Sequence, residues 1–199
     1  MKTLLGLLAA VLIIGSVQAQ NLLKNGDFSD GLNGWDSSRI SGTITPGAIL
    51  KVEALPDAGG KSGKLAQITD EEDTAGISLL QDVPAEAGKA YTLTFMSRTT
   101  VPKEKRGSPG FVIIWFYANG TWLKKPKAPT ATGTLTPEER KSIKRDVCIL
   151  ADPGKGWQAS TLTATAPAGT TKLRVEFKAG NDRRGTMDVS DVSITQSAP

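Results

Sequence analysis

The side chains best suited to bind a ligand are aromatic and charged residues spaced two apart along predicted strands. The segment Phe111–Gly120 is the most apolar of these strands, and a period of two places Trp115 and Tyr117 together on one of its faces. In the preceding strand, Arg98 lies on the polar face, opposite the apolar residues. Aromatic rings offer flat platforms and charged groups offer directed hydrogen bonds, so these residues are candidates for a binding face.

The face of Trp115 and Tyr117 leaves two interpretations open. The opposite face of the same strand, which includes Phe116, is also apolar, so both faces look buried. The extra apolar face either packs beneath a long loop or serves as a binding platform. Trp122, just after the turn that follows this strand, is either a platform at the rim or a cover for a strand edge.

The predicted strand Lys172–Lys178 adds a row of charged candidates. Its apolar residues alternate and point inward, so Arg174, Glu176 and Lys178 point outward, where they can line the same face as the aromatic residues. Glu176, near Tyr117, Arg98 and Lys178, is also the candidate centre for carboxylate-based catalysis.

The ionisable residues exclude several kinds of chemistry. The chain has no histidine, which excludes histidine acid–base catalysis, a Ser-His-Asp triad and a histidine-ligated zinc. Cys148 is the single cysteine, so no intramolecular disulfide can form. Four adjacent carboxylates, Asp70–Asp73, could gather a cation, but consecutive charges in a turn are usually solvated, and we expect that here.

The N-terminal residues have the pattern of a secretory signal peptide. Lys2 precedes the apolar run Leu4–Gly15, and Val17–Ala19 has the small-x-small form of a cleavage site. We therefore expect residues 1–19 to be removed, Gln20 to begin a secreted or periplasmic protein, and no segment to span a membrane. The net charge of +4 is too small to favour nucleic acid as a partner.

The remainder, residues 20–199, is predicted to be one all-β domain, an antiparallel β-sandwich. Alternating or apolar segments of strand length recur and are separated by turn residues, which is typical of this class. Residues 39–52 are ambiguous, with weak strands and turns. The predicted strands are Leu65–Thr69, Ile77–Val83, Tyr91–Arg98, Phe111–Gly120, Trp157–Pro167, Lys172–Lys178 and Thr186–Thr195.

A long insert interrupts this pattern between residues 122 and 156. Regular alternation is lost there, and Thr136 followed by Pro137 and Glu139 has the form of a helix start. We expect Pro137–Arg145 to form a short helix. Long insertions in compact sandwiches tend to carry function.

The stretch Asn21–Trp35 alternates apolar anchors with Asn-Gly and Asp-Gly turns. This opening and several later motifs occur in an order that resembles the jelly-roll carbohydrate-binding modules of families four, nine and twenty-two, in the galactose-binding-domain-like superfamily. The later motifs are Ala87–Phe95, Phe116–Gly120, Trp157–Gly169 and Met187–Ile194. The resemblance implies a jelly roll that binds glycan on a concave sheet face, and it assigns Trp35 and Trp157 to packing positions.

The resemblance also implies a structural calcium ion where the first and last strands meet. The candidate ligands are Asn25, Asp27 and Asp191, because calcium prefers carboxylate and carbonyl oxygens. The chain departs from the family pattern at Ser29, where a glutamate is usual, and at Ser190, where an aspartate is common. Asp27 and Asp188 are the available substitutes.

Three functions follow as hypotheses. The first is non-catalytic glycan binding by Arg98, Trp115, Tyr117, Trp122 and Glu176, with a preference for acidic glycans suggested by basic loops, and with association with carbohydrate-active enzymes. The second is a structural or adhesive protein of the cell envelope that keeps the fold without sugar binding. The third is a polysaccharide lyase or hydrolase built around Glu176.

Overall fold

The computed structural model describes residues 20–56, 63–100, 110–118, 121–124, 148–150, 156–179 and 184–196. The predicted signal peptide, the predicted helix Pro137–Arg145 and the basic loop Lys103–Arg106 lie outside these ranges. All of the regular structure within them is β, as predicted.

Eleven strands of the described chain form two sheets, in which the assigned pairs are antiparallel. The six-stranded sheet contains, in spatial order, β1 (Ile40–Gly42), β4 (Ala75–Pro84), β10 (Lys172–Ala179), β6 (Gly110–Ala118) and β7 (Thr121–Lys124), with β8 (Cys148–Leu150) also paired to β6. The five-stranded sheet contains β2 (Leu50–Pro56), β3 (Lys64–Asp70), β11 (Gly185–Gln196), β5 (Ala90–Thr100) and β9 (Gln158–Thr165). The two sheets form a jelly-roll sandwich.

Alternate residues of both sheets meet in one apolar core between them. Tyr91, Leu93 and Phe95 of β5 point into this core, which confirms the faces predicted for that strand. Across the core, Phe95 and Phe177 pack edge to face with their ring centroids 5.3 Å apart. Sheets packed in this way hold their inner side chains rigidly, so the outward faces are the surfaces free to meet a ligand.

Backbone contacts join the opening stretch Asn21–Trp35 to the last strand. The N–H of Val192 donates to the carbonyl of Gly26 (2.8 Å), and the N–H of Leu22 donates to the carbonyl of Ile194 (2.9 Å). The N–H of Ile194 in turn donates to the side-chain oxygen of Asn21 at 2.9 Å. The two ends of the described domain are therefore tied together through main-chain groups.

Left-handed backbone conformations are concentrated in this closure. The non-glycine residues with positive φ in the described chain are Asn25 (49°), Phe28 (56°) and Asp191 (51°). Phe28 is fully buried and packs against Trp35 at 5.4 Å between ring centroids. The Trp35 indole N–H donates to the carbonyl of Asn25 (3.1 Å), so Trp35 has the packing role that was predicted.

The described parts of the insert are more regular than its sequence indicates. The loss of alternation from residue 122 predicts irregular chain, but Thr121–Lys124 and Cys148–Leu150 are strands that pair with β6. Short strands need only a few backbone hydrogen bonds and little hydrophobic alternation, which explains why the sequence pattern does not reveal these two. The segment 39–52, predicted to hold weak strands and turns, contains β1 and the beginning of β2.

Replacing Gly26 by alanine is expected to destabilise the protein by about 3 kcal/mol, as overpacking against rigid backbone does. A Cβ at Gly26 would lie 1.9 Å from the carbonyl oxygen of Val192. Gly31→Ala is the matched control, because Gly31 has a φ of 60° but no atom within 4 Å of an added Cβ. The control should lose only the roughly 1–2 kcal/mol of left-handed strain. Urea unfolding measures both variants, and equal losses would contradict the close approach.

Candidate functional site

The outward face of the six-stranded sheet brings most of the candidate residues together. In the register of β4, β10 and β6, Arg174 lies between Asp82 and Trp115, while Glu176 lies between Leu80 and Ile113. We call this surface the β4–β10–β6 face. Its members are Ser78, Leu80 and Asp82 from β4, Lys172, Arg174, Glu176 and Lys178 from β10, and Phe111, Ile113, Trp115 and Tyr117 from β6.

Glu176 is the buried polar centre of the β4–β10–β6 face. Its side chain is 3% exposed, and each of its carboxylate oxygens accepts a hydrogen bond. The hydroxyl of Ser78 donates to one oxygen at 2.7 Å, and the indole N–H of Trp115 donates to the other at 2.5 Å. The carboxylate therefore fixes the orientation of the Trp115 ring.

Asp82 holds two cations at the more open end of this face. Arg174 donates to both oxygens of Asp82 (2.6 and 3.0 Å), and Lys172 donates to one of them at 2.7 Å. Burial raises the pKa of Asp82, but the hydrogen bonds from Arg174 and Lys172 outweigh it, so the pKa lies below its ordinary value. The hydrogen bond to Asp82 in turn raises the pKa of Arg174. These groups remain charged at neutral pH.

Tyr117 lies beneath both cations. The Arg174 guanidinium is 5.3 Å and the Lys172 ammonium 5.0 Å from the ring centroid, which are cation–π distances. Burial raises the pKa of the Tyr117 phenol above its ordinary value, so the phenol remains neutral. The ring and the two cations form one mixed aromatic and basic patch.

The burial of the aromatic residues bears on the two interpretations left open by the sequence. Trp115 is 8% exposed and Tyr117 is 4% exposed, and with Ile113 they form a second apolar cluster, separate from the main core. The prediction that both faces of this strand are buried is confirmed. These rings are thus packed rather than open platforms.

Arg98 lies on the other side of the sandwich, on the outward face of the five-stranded sheet. Its guanidinium pairs with Asp188 at 2.6 Å, and Gln67 donates to the second oxygen of Asp188 at 2.9 Å. Arg98 also stacks over the ring of Trp157, 4.7 Å from its centroid. The structure therefore separates Arg98 from Trp115, Tyr117 and Glu176, with the main core between them.

The Trp122 backbone pairs with Tyr117 at the edge of the β4–β10–β6 face. Of the predicted catalytic cluster, Glu176, Tyr117 and Lys178 share this face and Arg98 does not. Ser78, Asp82 and Lys172 were missed by the sequence reasoning, because their place beside Glu176, Arg174 and Tyr117 depends on strand register. The sequence signal that could have identified Lys172 and Asp82 was their outward position in the predicted strands.

The predicted calcium ligands lie in the loop and bulge of the closure. Both hydrogen-bonding groups of the Asn25 side chain serve the loop: its N–H₂ group donates to the carbonyls of Gly31 and Asn33 (3.0 Å each), and its oxygen accepts from the N–H of Asp30 at 3.0 Å. One oxygen of Asp27 accepts from the N–H and the hydroxyl of Ser29 at 3.2 and 3.0 Å. These oxygens already serve as acceptors within the loop.

The acidic segment Asp70–Asp73 is not the solvated turn that its sequence indicates. Asp70 is 0% exposed and Glu72 is 3% exposed. Glu72 accepts the backbone N–H of Thr45 at 2.7 Å and of Thr74 at 3.1 Å, and this bonding lowers its pKa to about 2. The Glu72 carboxylate thus joins two loops by hydrogen bonds. These bonds replace the water that Glu72 loses on burial.

No protein-family model and no curated protein matches the sequence. Solved structures do match. The enzymatically active domain of bacteriophage CBA120 tailspike protein 4 superposes with a TM-score of 0.65 and 14% identity, covering 89% of this chain but 21% of that one. A module described as CBM4 gives a TM-score of 0.56 and 18% identity, covering 88% of this chain and 99% of the module. The CBM22-1 xylan-binding domain from Paenibacillus barcinonensis Xyn10C gives 0.53 and 12%, covering 91% and 97%.

The chain has the jelly-roll fold of carbohydrate-binding modules, and the resemblance predicted from its motifs is confirmed at the level of the fold for families four and twenty-two. It spans nearly the whole of those modules and about a fifth of the tailspike domain. Within the ranges that the structure describes, no helix is long and apolar enough to cross a membrane.

Replacing Asp70 by asparagine is expected to stabilise the protein at neutral pH. Burial raises the pKa of Asp70 from 3.8 to about 6, and its Oδ2 has no hydrogen-bond partner in the described chain. Because the folded-state pKa is raised, the folded protein prefers the protonated acid, and this stability is lost as the pH rises from about 3.8 through 6. A shift of this size corresponds to about 3 kcal/mol at most.

The measurement is urea unfolding of wild type and Asp70→Asn across that pH range. The two proteins should be most similar in acid, and the variant should be the more stable one above the folded-state pKa of Asp70. A difference that does not change with pH would contradict the assigned ionisation of Asp70.

Proposed function

We propose that this chain is an exported, non-catalytic carbohydrate-binding module whose glycan binds at the β4–β10–β6 face. The fold supports the class of protein, and the solved structures that it resembles over nearly their full length include a CBM4 module and a domain named as xylan-binding. Export rests on the signal peptide predicted over residues 1–19, and carbohydrate-active enzymes are the proposed functional partners.

The observation that carries the proposal is the buried carboxylate of Glu176 on an outward sheet face. Burying a carboxylate away from water is unfavourable unless each oxygen is bonded, and Ser78 and Trp115 supply those bonds. An apolar residue of similar size would stabilise a purely structural face at least as well. Residues that are less favourable for stability than an available alternative are typical of functional sites.

The groups around Glu176 have the chemistry that glycans require. Sugar rings present C–H faces that pack on aromatic rings, and hydroxyls that bind planar charged groups in pairs. The accessible parts of Trp115 and Tyr117, 8% and 4% exposed, are the aromatic surface available to a sugar, while Asp82 and Arg174 supply a carboxylate and a guanidinium on the same face. Glu176 already orients Trp115, and Arg174 is already paired with Asp82. The binding site is therefore largely preformed.

A second candidate is a structural or adhesive protein that keeps this fold without sugar binding. The low exposure of Trp115 and Tyr117 favours it, since a sugar must reach the ring that it stacks on. Catalysis has less support. Arg98 lies across the sandwich from Glu176, and both Glu176 and Asp82 are already held by partners within the protein.

A glycan array with the secreted protein tests the proposal. Wild type is expected to bind one or more polysaccharides, and Trp115→Ala and Glu176→Gln are expected to bind at least tenfold more weakly. Trp157→Phe is the control, because Trp157 stacks on the opposite outward face and should bind as wild type does. Near-ultraviolet circular dichroism confirms that each variant is folded. Binding by no glycan would favour the structural candidate, and equal binding by a folded Glu176→Gln variant would contradict a site at the β4–β10–β6 face.

Acidic glycans are expected to bind more tightly than neutral ones, and more weakly as salt rises. Lys172 and Arg174 share the single carboxylate of Asp82, which leaves excess positive charge on the patch. Lys172→Gln should weaken acidic-glycan binding by up to about fivefold, the effect of one exposed ion pair. Lys51→Gln is the control, since Lys51 is a similarly exposed lysine that pairs with Glu53 on the other sheet. Titration calorimetry measures both, and salt-independent binding would contradict this preference.

A further inference from the structure

Lys64, at the start of β3, bridges the opening stretch and the last strand. Its ammonium donates to the backbone carbonyl of Ser29 at 2.6 Å, and its own backbone carbonyl accepts from the hydroxyl of Ser190 at 3.1 Å. Ser29 belongs to the first turns of the domain and Ser190 to the bulged part of β11. One lysine therefore contacts both sides of the closure.

The two serines that Lys64 contacts are the two departures from the family pattern. The resemblance places a glutamate at position 29 and an aspartate at position 190, and it places a calcium ion between the strands that carry them. Both carboxylates are missing here. The cation that reaches this place in the described chain is an ammonium group tethered to β3.

Two of the three predicted calcium ligands already use side-chain oxygens within the protein. Calcium takes six to eight oxygen ligands and selects carboxylates among them. The side-chain oxygen of Asn25 accepts from Asp30, and an oxygen of Asp27 accepts twice from Ser29. Within the described ranges, no three aspartate, glutamate, cysteine or histidine residues converge on a point that would hold a metal. The donor set does not fit the ion that the resemblance implies.

We infer that Lys64 takes the place of the structural cation, so that this domain closes without calcium. With two carboxylates lost, the closure no longer has the negative charge that a divalent ion would neutralise, and a singly charged ammonium is the cation bound to the carbonyl of Ser29. The Lys64 ammonium binds the loop carbonyl of Ser29, as a metal ion would. Because Lys64 is itself a residue of β3, its side chain connects the loop to β3 without a metal ligand from that strand. The closure then depends on the chain alone.

Thermal unfolding of the whole secreted protein in millimolar calcium and in excess chelator tests the inference. Wild type is expected to melt at the same temperature in both. Lys64→Met should melt about 2–4 °C lower in both, because the exposed carbonyl of Ser29 loses a charged donor. Lys51→Met is the control for removing a lysine charge, and should melt within a degree or so of wild type. A calcium-dependent rise in the wild-type melting temperature, or an unchanged Lys64→Met variant, would overturn the inference.

A double variant tests the position of the ammonium directly. Ser29→Glu combined with Lys64→Met restores one of the two missing carboxylates of the family pattern and removes the lysine. This protein is expected to gain a melting temperature that rises with calcium and falls with chelator. A double variant indifferent to calcium would mean that the ammonium does not occupy the position of the ion, and the inference would fail.

Discussion

The structure depends on the backbone pairing between the opening stretch and β11. The N–H of Val192 donates to the carbonyl of Gly26, and the carbonyl oxygen of Val192 lies so close to the Gly26 Cα that no side chain fits there. Asn25, Phe28 and Asp191 adopt left-handed conformations around this contact, each at a cost of roughly 1–2 kcal/mol. The burial of Phe28 and the paired strands on both sides of β11 offset that strain. Because β11 is the central strand of its sheet, fixing it also fixes β3 and β5.

The two outward faces of the sandwich are built differently. On the five-stranded sheet, the buried carboxylate of Asp188 pairs with Arg98, a partly exposed cation that also stacks on Trp157. On the six-stranded sheet, the buried carboxylate of Glu176 is bonded by two neutral donors, the hydroxyl of Ser78 and the indole of Trp115. Both buried carboxylates require specific partners, and the neutral donors of Glu176 distinguish the β4–β10–β6 face.

The sequence predicts single strands well and their neighbours poorly. Alternation identifies the inward residues of β5, β6 and β10, because a strand with one face in the core must repeat every second residue. It does not reveal that β5 and β6, consecutive in the chain, belong to different sheets. The prediction that Arg98 and Trp115 share a face assumed that strands consecutive in the sequence pair with each other.

The burial of Asp70 was missed for a related reason. Asp70 ends β3, and one of the strands that pair with β3, β11, lies more than a hundred residues later in the chain.

The edges of the two sheets have a consequence for how the protein behaves at high concentration. β1 and β7, at the margins of the six-stranded sheet, are three and four residues long. The margin strand β2 of the other sheet carries the ion pair Lys51–Glu53 and ends in Pro56. Short, charged and proline-terminated edges offer few unpaired backbone groups to another molecule. These three margins thus oppose edge-to-edge aggregation, whereas the margin strand β9 has eight residues and neither a charge nor a proline.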